Sequence, residues 1–120
     1  MIKLEVWIDG IYSTAELIAE DGLFERVWLE RDTSITSIME PDELFEQIFD
    51  GLDADAFEKS EQFKHQLDYF QQSKISLFLQ ALRELEEFIK SQNLNDEPQK
   101  VLNSPLWLEL KRTAKKLKLH

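Results

Sequence analysis

The chain has 120 residues, no cysteine, and 24 Asp and Glu against 14 Lys and Arg, a net charge of −10. That length makes one domain able to bury about two-thirds of its unfolded surface, and eight Phe and three Trp are more apolar matter than a disordered chain carries. The missing cysteines exclude disulfides and thiolate metal sites and fit a reducing compartment such as the cytosol; the opening MIKLEVWIDG lacks the apolar core of a signal peptide, and no run approaches the roughly eighteen apolar residues of a membrane span.

The charge is uneven. Residues 109–120 hold Lys111, Arg112, Lys115, Lys116 and Lys118 against Glu109. The first 108 positions therefore keep nine of the 14 basic and 23 of the 24 acidic residues, a body of −14 and a tail of +4. A body that acidic repels nucleic acid and anionic membranes and attracts basic partners.

In chain order, Ile2, Leu4, Val6 and Ile8 alternate with Lys3, Glu5 and Trp7, the pattern of a half-buried strand. Asp9-Gly10 and Asp21-Gly22 follow as hairpin signals. Together they predict a three-stranded antiparallel meander over 2–8, 11–20 and 23–31. In the middle strand, Ser13-Thr14-Ala15-Glu16 also reads as a capping box opening a short helix over 14–21. Strand is the preferred reading there, because two-residue turns set Ile8 opposite Ile11 and Lys3 opposite Glu16. Leu23, Val27 and Leu29 then need a one-residue bulge to face the same side. Thr33 to Ile38 reads as a short edge strand.

Helices follow. Pro41 fits a first helical turn, with Asp42 and Glu43 near its positive end. Leu44, Phe45, Ile48 and Phe49 form the buried side, and Gly51 sits where a left-handed glycine ends a helix. Asp53 is placed to cap a helix carrying Phe57, Phe63, Leu67 and Phe70 to about Gln72, with a break at Ser73 on length grounds. From Ser73 to Asn93, Ile75, Phe78, Leu82, Leu85 and Ile89 recur at steps of three and four, and Leu79, Ala81 and Phe88 widen the stripe. Arg83–Glu87 and Glu86–Lys90 are the expected ion pairs on its far side. Leu94 to Asn103 reads as a loop. Ser104-Pro105 opens a last helix, with Leu106, Leu110, Ala114 and Leu117 on one face, Trp107 beside them, and its basic end at the negative pole of the dipole. Strands first and helices after predict an α+β domain: 1–38 mainly β, in a small antiparallel sheet, and 41–120 mainly α, in about four helices.

Chemistry-bearing patterns are sparse. His65 has Glu61 and Asp68 about one turn to either side, but the other histidine is His120, and no H-E-x-x-H spacing exists. His65 therefore reads as a solvent-facing residue with carboxylate neighbours. The run Asp50 to Asp55 lacks the spacing of a calcium loop. Gly10, Gly22 and Gly51 are too far apart for a phosphate loop, and no G-x-S-x-G occurs. No catalytic, cofactor or metal residue is assigned, and the expectation is a protein that is not an enzyme. The basic tail reads as a helix matched to its own dipole or to the acidic body.

The remaining feature is an acidic block. Glu40, Asp42, Glu43, Glu46, Asp50, Asp53, Asp55, Glu58 and Glu61 stand against Lys59 alone in 22 residues. Helix N-termini account for Asp42, Glu43, Asp53 and Asp55. They do not account for Glu46, Asp50, Glu58 and Glu61. Self-repulsion among these acids costs stability, and a basic protein partner would relieve it, so all nine are candidate partner-binding residues. Phe45, Phe49 and Phe57 lie in the same stretch as anchors, with core burial the prior expectation for each.

In size, acidity and lack of an active-site pattern the chain is similar to bacterial immunity proteins, short Cys-free chains that neutralise a cationic toxin, often a nuclease. The resemblance rests on no motif and assigns no residue. It implies a cytosolic inhibitor that fills a phosphate-binding cleft with carboxylates and excludes substrate. Two alternatives share the composition: a nucleic-acid mimic that blocks a DNA-binding protein, and a helical interaction or scaffold module.

Overall fold

A computed structural model describes residues 3–36 and 38–118. Ile2, Ser37 and His120, which entered the expectations above, lie outside them. The expected N-terminal sheet is overturned: among the described residues there is no strand, and the fold is helical rather than α+β. Residues 4–19 form α1 (Leu4–Ala19), which buries Trp7, Ile11, Thr14, Ala15, Ile18 and Ala19. Those positions follow steps of three and four, and half-buried Leu4 and Ile8 belong to both that pattern and the alternating one. The alternation stops at Ile8, whereas the helical period runs on to Ala19 and decides the outcome. The helical alternative over 14–21 names the right kind of element but overlaps only the end of α1, which begins ten residues earlier and stops at Ala19.

The two Asp-Gly pairs do different work. Gly10 lies within α1, where a Cβ would come 2.6 Å from Leu52 Cδ1. Its bare backbone lets α1 close on the Glu46–Gly51 turn, and the Trp7 indole N–H donates to the Leu52 carbonyl at the same contact. Buried Thr14 adds a second link there, accepting from the Gln47 amide at 3.0 Å. Gly22 does turn the chain, at φ +78°, after α1 has ended. The third expected strand, 23–31, is instead a helical segment with a wide π turn at Glu25–Leu29. The expected edge strand, 33–38, holds a turn in which Asp32 accepts from the Ser34 N–H at 3.0 Å and hydroxyl at 2.6 Å.

Pro41 opens α2 (Pro41–Phe45) as expected, and the chain passes directly into a second π turn, Glu46–Gly51. Gly51 does not take the left-handed position; Asp53 does, at φ 52°. The helix expected to reach Gln72 is broken twice, into α3 (Ala54–Lys59) and α4 (Glu61–Gln66). The first break is at Ser60, whose hydroxyl oxygen accepts from the Phe63 N–H at 3.1 Å. The second is at Asp68, which forms a reciprocal capping box with Gln71. That box starts α5 (Tyr69–Gln92) and leaves Ser73 inside the helix, so the break falls before the expected place. Asn93, left-handed at φ 54°, ends it. The expected loop from Leu94 contains a short α6 (Pro98–Leu102). Helix α7 (Pro105–Lys118) begins as the sequence indicates, Ser104 Oγ accepting from the Trp107 N–H at 3.1 Å.

The core gathers around α7, which packs along both α1 and α5. From α5, Ile75, Phe78, Leu79, Leu82 and Leu85 are fully buried, as the stripe predicts; from α7, Trp107, Leu110, Ala114 and Leu117 join them. Each such side chain contributes about 1.5–3 kcal/mol for the larger residues. Phe24, Trp28 and Trp107 make an aromatic cluster with ring centroids 4.7–5.5 Å apart. Helix α6 closes over the Glu25–Leu29 turn. No helix is long and apolar enough to cross a membrane.

Candidate acidic interface

The acidic block becomes a run of short helices and wide turns on the side of the bundle where α2 and α3 meet α5. Glu40 sits at the entry to α2 and Asp42 in its first turn, both exposed. The Asp42 backbone N–H donates to Asn95 Oδ1 at 3.1 Å, tying this end to the chain after α5. Glu43 is partly covered, and Glu46 and Asp50 are exposed on the Glu46–Gly51 turn.

Asp55 and Glu58 are drawn together by a residue that local spacing did not select. Arg83 Nη2 lies 2.5 Å from Asp55 Oδ1 and also donates to Glu58 Oε1. Ser76 Oγ donates to the other Glu58 oxygen at 2.9 Å. The guanidinium carbon stands 5.5 Å from the centre of the Phe49 ring, within cation–π range. Arg83 therefore does not form the expected pair with Glu87. Its partners lie 28 and 25 residues earlier. The Glu86–Lys90 pair does form, at 3.6 Å. Asp55 and Glu58 are thus engaged in seating α3 on α5.

Glu61 acquires a helix-end role, because the break at Ser60 places it in the first turn of α4. It lies 2.8 Å from His65 Nε2, with both side chains largely in solvent. Asp68, expected beside them, is beyond the second break and caps α5. Of the four acids without a helix-end explanation, Glu61 gains one from the break at Ser60 and Glu58 is accounted for by Arg83 and Ser76, while Glu46 and Asp50 have neither an ion pair nor a free helix end. Among the described residues, Glu40, Asp42, Glu43, Glu46, Asp50 and Asp53 have no ion-pair partner.

Asp53 occupies the position before α3, yet its side chain caps nothing. A capping residue has extended dihedrals, and Asp53 is left-handed, at φ 52° and ψ 53°. The residue instead borders a cleft of about 770 Å³ walled also by Trp7, Ala56, Lys59, Ser60, Glu61 and Gln62. Gln62 Oε1 is buried without a hydrogen-bond partner. A smaller cleft of about 240 Å³ opens between Asp42 and Phe45 on one side and Glu86, Lys90 and Asn95 on the other.

The aromatic side chains of the acidic stretch are not free on its surface. Phe45 and Phe57 are core residues and Phe49 is partly buried. The exposed rings are Tyr69 and Phe70, 78% and 72% accessible, with Leu77 exposed two turns beyond. Their signal in the sequence is that they precede the buried stripe of α5 and fall outside it. The basic tail is tied to the body: Lys111 and Lys115 reach Asp21 at 2.6 and 3.4 Å. Their hydrogen bonds and charge hold the Asp21 carboxyl below its ordinary value. Arg112 pairs with Glu109 at 2.5 Å. Among the described residues no three His, Asp or Glu side chains gather as a metal set. No family model, curated protein or solved structure matches the chain.

Proposed function

We propose that this is a small binding protein whose acidic surface takes a basic protein partner and acts by occupying it, not by catalysis. The observation that carries the reading is the density of six carboxylates from Glu40 to Asp53, a stretch with no Lys or Arg of its own, none of which has an ion-pair partner among the described residues. Bringing up a cationic surface removes their mutual repulsion, so association gains what the free fold forgoes. Charge steers the encounter and makes its rate salt-dependent. The partner class we favour is a nuclease toxin domain, whose phosphate-binding cleft presents the required cations, and the compartment we favour is the cytosol. A DNA-binding protein blocked by a nucleic-acid mimic is the same electrostatic partner with a different identity.

A second reading, a helical interaction module, is favoured by Tyr69, Phe70 and Leu77, which stand in solvent along the start of α5. Interfaces are usually held by buried aromatic residues while charge guides approach.

The test is affinity capture from the native cell at low salt with the wild-type chain and with Asp42→Lys, Glu46→Lys and Asp50→Lys combined. These surface positions should leave folding within about 0.5 kcal/mol each. The expected result is a basic protein retained by the first and lost by the second. Equal retention by both would show that the acids are only a solvated face.

A further inference from the structure

We propose that the start of α5 is a self-association face, on which a second copy of this chain packs its own α5 antiparallel across a twofold axis. This goes beyond the acidic-surface reading and uses none of its six carboxylates.

Tyr69, Phe70 and Leu77 are 78%, 72% and 57% exposed, and the two rings meet edge to face with centroids 6.2 Å apart. Phe70 and Leu77 are seven residues apart, which on a helix is two turns, about 10.5 Å, along almost one line. Half-buried Ser73 and Lys74 lie between them. From Tyr69 to Leu77 the chain carries no acid and one lysine, so a cationic partner finds nothing there to pair with.

What fits this stripe is the stripe reversed. Turned about the midpoint between Ser73 and Lys74, Phe70 of one copy meets Leu77 of the other, and Leu77 meets Phe70. A twofold contact requires that reciprocity, and the small Ser73 near the crossing lets the helices approach closely. The flanking charges favour the same direction. Among the described residues Lys64, Lys74, Glu84 and Glu87 have no ion pair. The Gln72 amide donates to the Lys64 carbonyl at 3.2 Å, which places Lys64 beside the first turn of α5, whereas the two glutamates lie two turns or more beyond Leu77. An antiparallel copy brings the glutamates of one chain toward Lys64 of the other; a parallel copy sets like against like. Lys74, beside the axis, is the like pair that remains. The two rings alone expose about 300 Å², and a standard interface buries about 800 Å² on each partner. The stripe and its polar margin therefore support a weak dimer, in the micromolar range. Each copy carries −10, so salt strengthens this association by screening repulsion, whereas it weakens capture of a basic partner.

Sedimentation equilibrium of the full-length protein from micromolar to millimolar concentration, at low and high NaCl, tests this. The expected result is a monomer–dimer equilibrium that tightens with salt. Phe70→Ser and Leu77→Asp should each weaken it tenfold or more, and Lys74→Gln should tighten it. The chain has no cysteine, so single cysteines placed in otherwise wild-type chains read the register independently of those variants. Phe70→Cys and Leu77→Cys, mixed and oxidised, should cross-link to each other in preference to themselves. A monomer at every concentration, a dimer indifferent to Leu77→Asp, or Phe70→Cys cross-linking mainly to itself overturns the proposal. None of these outcomes touches the acidic-surface reading, which fails through Asp42, Glu46 and Asp50 in the capture experiment.

Discussion

The Arg83 guanidinium holds Asp55 and Glu58 against α5 and lies over the Phe49 ring. Glu58 has only a fifth of its side chain exposed, so removing the cation strands a largely covered carboxylate. Arg83→Met is expected to cost about 1–3 kcal/mol in urea unfolding. Adding Glu58→Gln should recover part of that loss, because no charge is then stranded. A loss under about 0.5 kcal/mol for the single variant would mean that the contact is ornamental. Asp21 offers a pH test. Lys111 and Lys115 keep its folded pKa below 3.8, so its contribution is complete above the ordinary carboxylate range. It is lost as pH falls through the lowered value. Asp21→Asn should therefore melt earlier than wild type at neutral pH and converge with it in strong acid; parallel melting curves across that range would refute the assignment. Both contacts escape a sequence reading for the same reason. Spacing rules find partners one helical turn away, whereas Arg83 and Lys111 reach partners 25 to 90 residues distant. The acids were visible as a cluster, but which of them the fold has already engaged was not.

Helix α5 was legible because its apolar stripe, Ile75 to Ile89, runs for about four turns without Gly or Pro, long enough for the 3.6-residue period to exclude any other. Leu82→Ala, at a fully buried site, should lose about 2–5 kcal/mol in a denaturant melt; a change under about 1 kcal/mol would put the stripe on the wrong side. The capping of α7 was equally plain, since Ser104-Pro105 states both its cap and its first residue. Helix α1 was misread because seven residues are too few to separate two periods when Leu4 and Ile8 satisfy both. The hairpin signal at Asp9-Gly10 then weighted the wrong one. Gly10 is a glycine of close approach, to Leu52, and a dipeptide pattern does not distinguish that from a turn. The same limit explains the breaks at Ser60 and Asp68. Each is made by one side-chain cap, a few tenths to about 2 kcal/mol of local preference, between apolar residues that otherwise continue the helical spacing.

Taken whole, the molecule carries −10 and pairs its cations mostly on α5 and α7, leaving the α2 end unbalanced. Salt should therefore stabilise it. Between 0.01 and 1 M the screening length falls from about 30 to about 3 Å, and a gain of roughly 1 kcal/mol would raise Tm by about 4–8 °C for a domain near this size. A falling Tm in NaCl would show that the attractive pairs at Arg83 and Asp21 outweigh the repulsion. The central place of α7 has a further consequence, for the chain while it is being made. Of the three helices that share the core, α7 leaves the ribosome last, roughly 85 residues after α1 is complete. At about 5–20 residues per second that is a delay of roughly 4–17 s. Through that interval the row from Trp7 to Ile18 has no α7 to cover it, and the row from Ile75 to Ile89 has none for the shorter time between the end of α5 and the emergence of α7; both are open to chaperones and to neighbouring nascent chains. Translation stopped at Asn103 should yield a product that sediments or stays chaperone-bound, whereas release of α7 from the exit tunnel should render the same chain protease-resistant.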